Sequence, residues 1–238
     1  MCGMLTQFAA AMWSVDYSLT LAIHNYSAIF IHTREQGISY NIFDPPNSSV
    51  SSWTTGPQYY SLLFLAEALR GVDPSTGLSV VTDLGLTGSS GSSVAGYVIY
   101  DGTGKNPQRL VLINFGDASF GASPNVSFTI PAGLGQQGKN GSVSVKLLSA
   151  TTITEETAIQ WAGQTVGEAG NLMGEVVEKT VQCRGGCAID VPGPAIALVG
   201  LTTSSNPSPT NGSRSRSSVN VVPICSVLFS LCLGIFWL

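Results

Sequence analysis

Charge is scarce in this chain: Asp, Glu, Lys and Arg make up 10% of its 238 residues, against 44% hydrophobic residues. So little charge on so much apolar material excludes an intrinsically disordered chain, which combines low hydrophobicity with high net charge. Basic residues are the rarer sign, ten Lys and Arg against fourteen Asp and Glu. That balance excludes the basic footprint of a nucleic-acid binder, so no nucleic-acid partner is expected. Histidine is limited to His24 and His32, which makes the Cys-x-x-x-Cys at Cys183 and Cys187 a poor zinc site. Neither a metal nor a cofactor is expected. No Gly-x-Ser-x-Gly occurs, which removes the nucleophile elbow of the α/β-hydrolases. No lysine or arginine precedes Arg34, so the N-terminus lacks the charged region that opens a signal peptide.

With charge in short supply, the polar surface must come from Ser, Thr, Asn and the 27 glycines, as in an extracellular β-rich glycoprotein. Five Asn-x-Ser sequons fit this reading: Asn25, Asn47, Asn125, Asn140 and Asn211. Cys183 and Cys187 bracket Arg-Gly-Gly, flexible enough to close a small disulfide loop, although two unpaired thiols remain the alternative. Residues 204–220 form a Ser/Pro-rich linker, and 221–238 form an uncharged apolar tail. Small residues at Asn211, Gly212 and Ser213, a polar spacer and a hydrophobic end are the parts of a GPI-attachment signal. As a helix the tail would reach about 27 Å, barely a bilayer core, so a tail anchor or a buried helix is the alternative. An anchor on Asn211 would exclude a glycan there. The expected localisation is secreted, at the cell surface, attached to the membrane through this tail. Such a signal works on a chain already in the secretory pathway, so with no signal peptide the sequence is expected to begin inside a longer protein.

The periodicity changes along the chain. Leu5, Phe8, Met12, Val15 and Leu19 recur at spacings of three and four, which predicts a helix over 4–22. Residues 28–32 (Ala-Ile-Phe-Ile-His) predict a short strand buried on both faces. A polar loop follows, and Pro57 opens a second helix that carries Tyr60, Leu63, Phe64 and Leu69 up to Gly71. From about residue 73 the period is two. Strands are expected over 93–100, 109–115, 126–130, 143–147, 175–182 and 195–201, in a β-sandwich with one sheet face buried. Helix, strand and helix are a fragment of an α/β repeat, whose apolar faces would lack their neighbours.

Three segments carry a resemblance: Phe8-Ala-Ala-Ala-Met-Trp-Ser-Val-Asp16, Gly37-Ile-Ser-Tyr40, and Pro57-Gln-Tyr-Tyr-Ser-Leu-Leu-Phe64. With the apolar run ending in His32 and the later Val191-Pro-Gly-Pro-Ala-Ile-Ala-Leu198, the chain resembles glycoside hydrolase family 79 of β-glucuronidases and heparanase, in the C-terminal part of a fungal-type member. The resemblance implies an α+β fragment: residues 1–72 as the last helix–strand–helix unit of a (β/α)8 TIM barrel, and 73–203 as an all-β sandwich. It implies a retaining hydrolase of glucuronosyl-containing polysaccharide whose two glutamates lie upstream of this chain, so no catalytic residue is expected here. A carbohydrate partner follows from the same resemblance. The loop after 28–32 would line the sugar site, with Tyr40 matching a tyrosine that contacts the sugar carboxylate, and with His32 and Trp53 as further contacts. Glu35 reads as a solvated loop charge beside Arg34, and Asp16 as a structural contact. The competing reading is a non-catalytic, GPI-anchored β-sandwich module that binds or spaces glycans.

Overall fold

The computed structural model describes residues 6–33, 38, 40–44, 54–71, 78–86, 93–120, 125–131, 134, 141–168 and 170–201. The linker 204–220, the tail 221–238, Asn47, Trp53, Asn140, Asn211, Gly212, Ser213, Arg34 and Glu35 lie outside the described residues. The chain divides after Ser204, and every described residue belongs to the compact unit before that point.

Helix α1 runs Phe8–Ile23 and buries Phe8, Met12, Val15 and Leu19, the stripe that the three-four spacing predicts. Gln7 precedes it without a side-chain cap. The free amides of the first turn are met from a distant loop: Phe8 N–H donates to Glu155 O at 2.7 Å and Ala9 N–H to Ile153 O at 2.8 Å. Its other end closes on Asn25, whose φ of 62° is left-handed. Tyr26 N–H reaches back to Leu21 O at 3.1 Å and Asn25 N–H to Ala22 O at 3.0 Å, the paired bonds of a Schellman ending. Helix α2 runs Pro57–Ala68 with proline in its first turn, and buries Tyr60, Phe64 and Ala68 at four-residue spacing. Arg109 Nη1 donates to Ala68 O at 3.2 Å and Arg70 O at 2.9 Å, so a cation closes the negative end of α2.

Between the helices, the expected strand at 28–32 is not formed. The segment runs without strand geometry, and Phe30 is 83% exposed. A strand buried on both faces needs hydrogen-bonded neighbours on each side, and among the described residues none pairs with it. The order here is helix, irregular segment, a pair of two-residue strands, helix.

The β-strands in chain order are β1 (Phe43–Asp44), β2 (Thr54–Thr55), β3 (Ser79–Asp83), β4 (Val94–Asp101), β5 (Pro107–Asn114), β6 (Asn125–Ile130), β7 (Ser142–Ser149), β8 (Gln160–Trp161), β9 (Thr165–Val166), β10 (Leu172–Met173), β11 (Lys179–Gln182), β12 (Cys187–Pro192) and β13 (Ala195–Gly200). Seven of them form one antiparallel sheet in the order β11-β7-β13-β5-β4-β3, with β8 added to β7. Strands β6 and β12 pair separately as a ribbon, Phe128 opposite Ile189. The strand expected over 175–182 forms only from Lys179, and β3, β12 and the two-residue pairs are additions to the predicted set.

Both faces of this sheet are buried, which corrects the expectation of one covered face. Tyr97, Ile99, Val111, Ile113, Ile196 and Leu198 point to one side, where they share a core with Phe8, Met12, Leu19, Phe64 and Trp161. Their neighbours Val98, Leu110, Leu112, Ala195, Ala197 and Val199 point to the other, against Phe128, Ile130, Ile189 and Val191 of the ribbon. Strict alternation along a strand serves two cores at once when both faces are covered. The layers are therefore helices, sheet and ribbon, and the apolar stripes of α1 and α2 find partners on the sheet rather than standing bare. Each fully buried side chain of Phe or Leu size contributes about 1.5–3 kcal/mol. Phe64 meets Trp161 edge-on with ring centroids 5.1 Å apart, and Lys146 pairs with Glu67 at 2.7 Å. A disulfide joins Cys183 and Cys187 at the turn from β11 to β12.

Candidate functional site

The loop expected to line a sugar site is held in place by backbone hydrogen bonds. Asn41 N–H bonds Ile38 O at 3.0 Å, and Gly56 N–H bonds Ile42 O at 2.9 Å. Beyond that, Phe43 pairs with Thr55 and Asp44 with Thr54, and Asn41 Nδ2 donates to Asp44 Oδ1 at 2.8 Å. Gly56 is required by close approach, since a Cβ there would meet the Asn41 carbonyl oxygen at 2.5 Å. These bonds fix the chain on both sides of the 38–44 turn and with it the position of Tyr40.

Tyr40 lies with its ring centroid 6.0 Å from that of His32. The two face a groove of about 300 Å³, lined also by Trp13, Ser14, Tyr17 and Ser18 of α1, by residues 29–31, and by Gln58 of α2. Trp13 and Tyr17, one turn apart on α1, stack with centroids 5.0 Å apart and planes at 12°. They are 52% and 42% exposed. Ser14 and Ser18 turn their hydroxyls back to the Ala10 and Ser14 carbonyl oxygens of their own helix. Gln58 is buried at 4% exposure. The structure thus brings together two of the three expected sugar contacts, Tyr40 and His32. The segment expected as a strand still delivers His32 to the groove, as a mostly exposed run without strand pairing.

The groove offers aromatic faces, a phenol, an imidazole and an amide, groups that can stack on sugar rings and bond their hydroxyls. No described residue that lines it is a carboxylate. Among the described residues, Asp16 and Asp44 have partners of their own. Asp16, expected to be structural, accepts from Tyr97 O–H at 2.5 Å, and burial followed by this bond to Asp16 pushes the Tyr97 phenol well above its usual range. Asp44 accepts from Asn41.

Sequence reasoning passed over Trp13, Tyr17, Phe30 and Gln58. A signal was present for the first two: large aromatics at positions 13 and 17 lie off the stripe of Phe8, Met12, Val15 and Leu19, where burial cannot account for them. Of the expected glycan sites, Asn25 is exposed at the end of α1 and Asn125 is exposed at the start of β6.

Comparison with known proteins agrees with this architecture. Residues 96–198 match the glycosyl hydrolase family 79 C-terminal beta domain. A beta-glucuronidase of Aspergillus niger is 25% identical over 173 residues, covering 68% of this chain and 30% of that protein. A beta-glucuronidase of Neurospora crassa is 28% identical over 188 residues, covering 68% and 32%. The chain thus spans about a third of the length of the curated relatives it matches. The crystal structure of a 4-O-alpha-L-rhamnosyl-beta-D-glucuronidase from Fusarium oxysporum, in complex with Rha-GlcA, superposes with a TM-score of 0.65. The match covers 83% of this chain and 40% of that one, and at 21% identity the likeness is one of fold. The matched range takes in β5, β7 and the β6–β12 ribbon whole and most of β4 and β13. Over residues 96–198 and along its matches to the fungal beta-glucuronidases, the chain is similar to the C-terminal part of glycoside hydrolase family 79 proteins.

Proposed function

We propose that this chain is the C-terminal portion of a retaining, β-glucuronidase-like glycoside hydrolase acting on glucuronosyl-containing glycans. On this reading α1, the segment 28–33 and α2 belong to the end of a (β/α)8 barrel, and the paired glutamates of the reaction lie on strands outside this chain. The observation that supports it best is the meeting of Tyr40 and His32 in one aromatic groove. The Tyr40 phenol donates to the sugar carboxylate while its ring walls the pocket, and His32 and Trp53 contribute further contacts. The test is a ligand-observed NMR titration of the 238-residue chain with methyl β-D-glucuronide and methyl β-D-glucoside. Tyr40→Phe is expected to weaken the glucuronide more than about tenfold and leave the glucoside nearly unchanged, because a hydrogen bond to a charged group is lost. Equal weakening of both sugars, or of neither, contradicts the assignment.

The second reading, a non-catalytic cell-surface module, is favoured by the Ser/Pro linker and apolar tail at 204–238. It shares with the first the expectation of a secreted chain held by a GPI anchor at Asn211, Gly212 or Ser213. Release of the protein from intact cells by phosphatidylinositol-specific phospholipase C is the expected result. Retention in the membrane after that treatment rules out the GPI anchor.

A further inference from the structure

A second groove, of about 450 Å³, lies on the ribbon side of the sheet. One wall is β6 from Val126 to Ile130, the other is Leu84 and Leu86, and Val94, Leu110 and Leu112 of the sheet form the floor. Among the described residues none of β12 lines it, so it runs along the edge of β6 that faces away from β12. Among the described residues, too, β12 is the strand paired with β6, which leaves that outer edge without a ladder. The opposite wall is held close to the sheet: a Cβ on Gly96 of β4 would run into Leu86 Cδ1 and Leu84 Cδ1. Proteins that leave a strand edge open guard it with charge, proline or a bulge. The edge strands of the main sheet carry charge, Asp83 in β3 and Lys179 in β11. Strand β6 reads Asn-Val-Ser-Phe-Thr-Ile, with neither charge nor proline, and none of the described residues lining the groove is charged. An unguarded edge beside an apolar floor is built for one more strand, whose backbone bonds β6 while its alternate side chains enter the groove. Two walls and a floor admit a single extended segment, whereas the folded edge of a second copy would meet the Leu84–Leu86 wall. The chain spans about a third of the length of the curated relatives it matches, so most of such a protein is left to supply that segment.

We propose that the outer edge of β6 is an interaction surface for an uncharged, extended segment of alternating apolar residues, supplied by the part of the parent hydrolase outside this chain. This rests on the reading of the chain as the C-terminal portion of a longer protein, and it is independent of the sugar groove. Backbone pairing tolerates differences in sequence, so a relative can provide the probe. Overlapping peptides from the part of the Aspergillus niger beta-glucuronidase outside the match are screened for binding to the 238-residue chain. Amide hydrogen exchange of the chain is then followed with and without the peptide that binds. In the chain alone, the β6 amides that point away from β12 are expected to exchange freely. A bound peptide of alternating apolar residues is expected to slow them by about tenfold or more. Slow exchange of those amides in the chain alone overturns the proposal, because the edge is then already paired, within the chain or, where sedimentation shows a dimer, with a second copy. So does the absence of a binding peptide, or binding that leaves β6 unprotected. Glucuronide binding without protection of β6 loses only this inference. Protection of β6 in a chain that binds no sugar supports the strand site and removes the sugar groove instead.

Discussion

Asn25 carries two roles that pull on the same side chain. Its φ of 62° ends α1, and its sequon makes it a glycan acceptor. The left-handed conformation costs a residue with a Cβ roughly 1–2 kcal/mol, glycine nothing, and asparagine less than most. Asn25→Ala is therefore expected to lower Tm by a few degrees, while Asn25→Gly leaves it level or raises it. Both remove a glycan from that position. A melt of the unglycosylated variants separates the two effects: equal Tm for Ala and Gly would mean that the helix ending does not depend on the backbone of residue 25. At this scale the sequence was readable where chemistry is local. The end of the helical spacing just before Asn25, Pro57 at the start of α2 and the Cys183–Cys187 loop all follow from neighbouring residues. Gln58 was not readable, because its burial beside the groove is set by distant segments.

At the scale of elements, α1 depends on a loop far along the chain. Glu155 O and Ile153 O take its first amides, and two acids hold that loop. Asp117 accepts from Ile153 N–H at 2.6 Å and from Ser119, and these bonds, Ile153 first, keep its carboxyl below the usual range. Glu155 accepts from the backbone N–H groups of Ala158 and Thr157 and from Thr151, which lower its pKa to about 2. A carboxyl whose folded pKa lies below its unfolded value stabilises the protein above the unfolded value, about 4, and loses that contribution as pH falls toward the folded one. Tm is expected to be flat from about pH 7 to 5 and to fall between about 4 and 2, with a smaller fall in that window for Asp117→Asn. An identical acid limb in the variant would remove Asp117 from the account. The helix stripe Phe8, Met12, Val15 and Leu19 and the alternating strands were legible from spacing. The two-residue pairs and the incoming amide acceptors were not, because nothing local encodes them. Residues 28–32 have the composition of a buried strand, but pairing is a property of neighbours, and here Phe30 stands in the open.

For the whole molecule, the layer order decides what the helices are for. Their apolar stripes lie on one face of the sheet while the ribbon covers the other, so a β-sandwich with one wet face was the wrong inference from alternation alone. Alternation between two kinds of apolar residue, as in Leu110-Val-Leu-Ile113, gives no polar position to mark a solvent side. The same packing leaves Trp13, Tyr17 and Phe30 outside the core, together on the groove that holds Tyr40, His32 and Gln58. The central claim is the proposal that this surface recognises a glucuronide while the pair of facing carboxylates needed for bond cleavage lies outside this chain. The most direct measurement is a prolonged incubation of the purified, folded 238-residue chain with 4-nitrophenyl β-D-glucuronide. The account predicts release of nitrophenol no faster than in buffer. Turnover above buffer that co-purifies with the chain and scales with its concentration would contradict it.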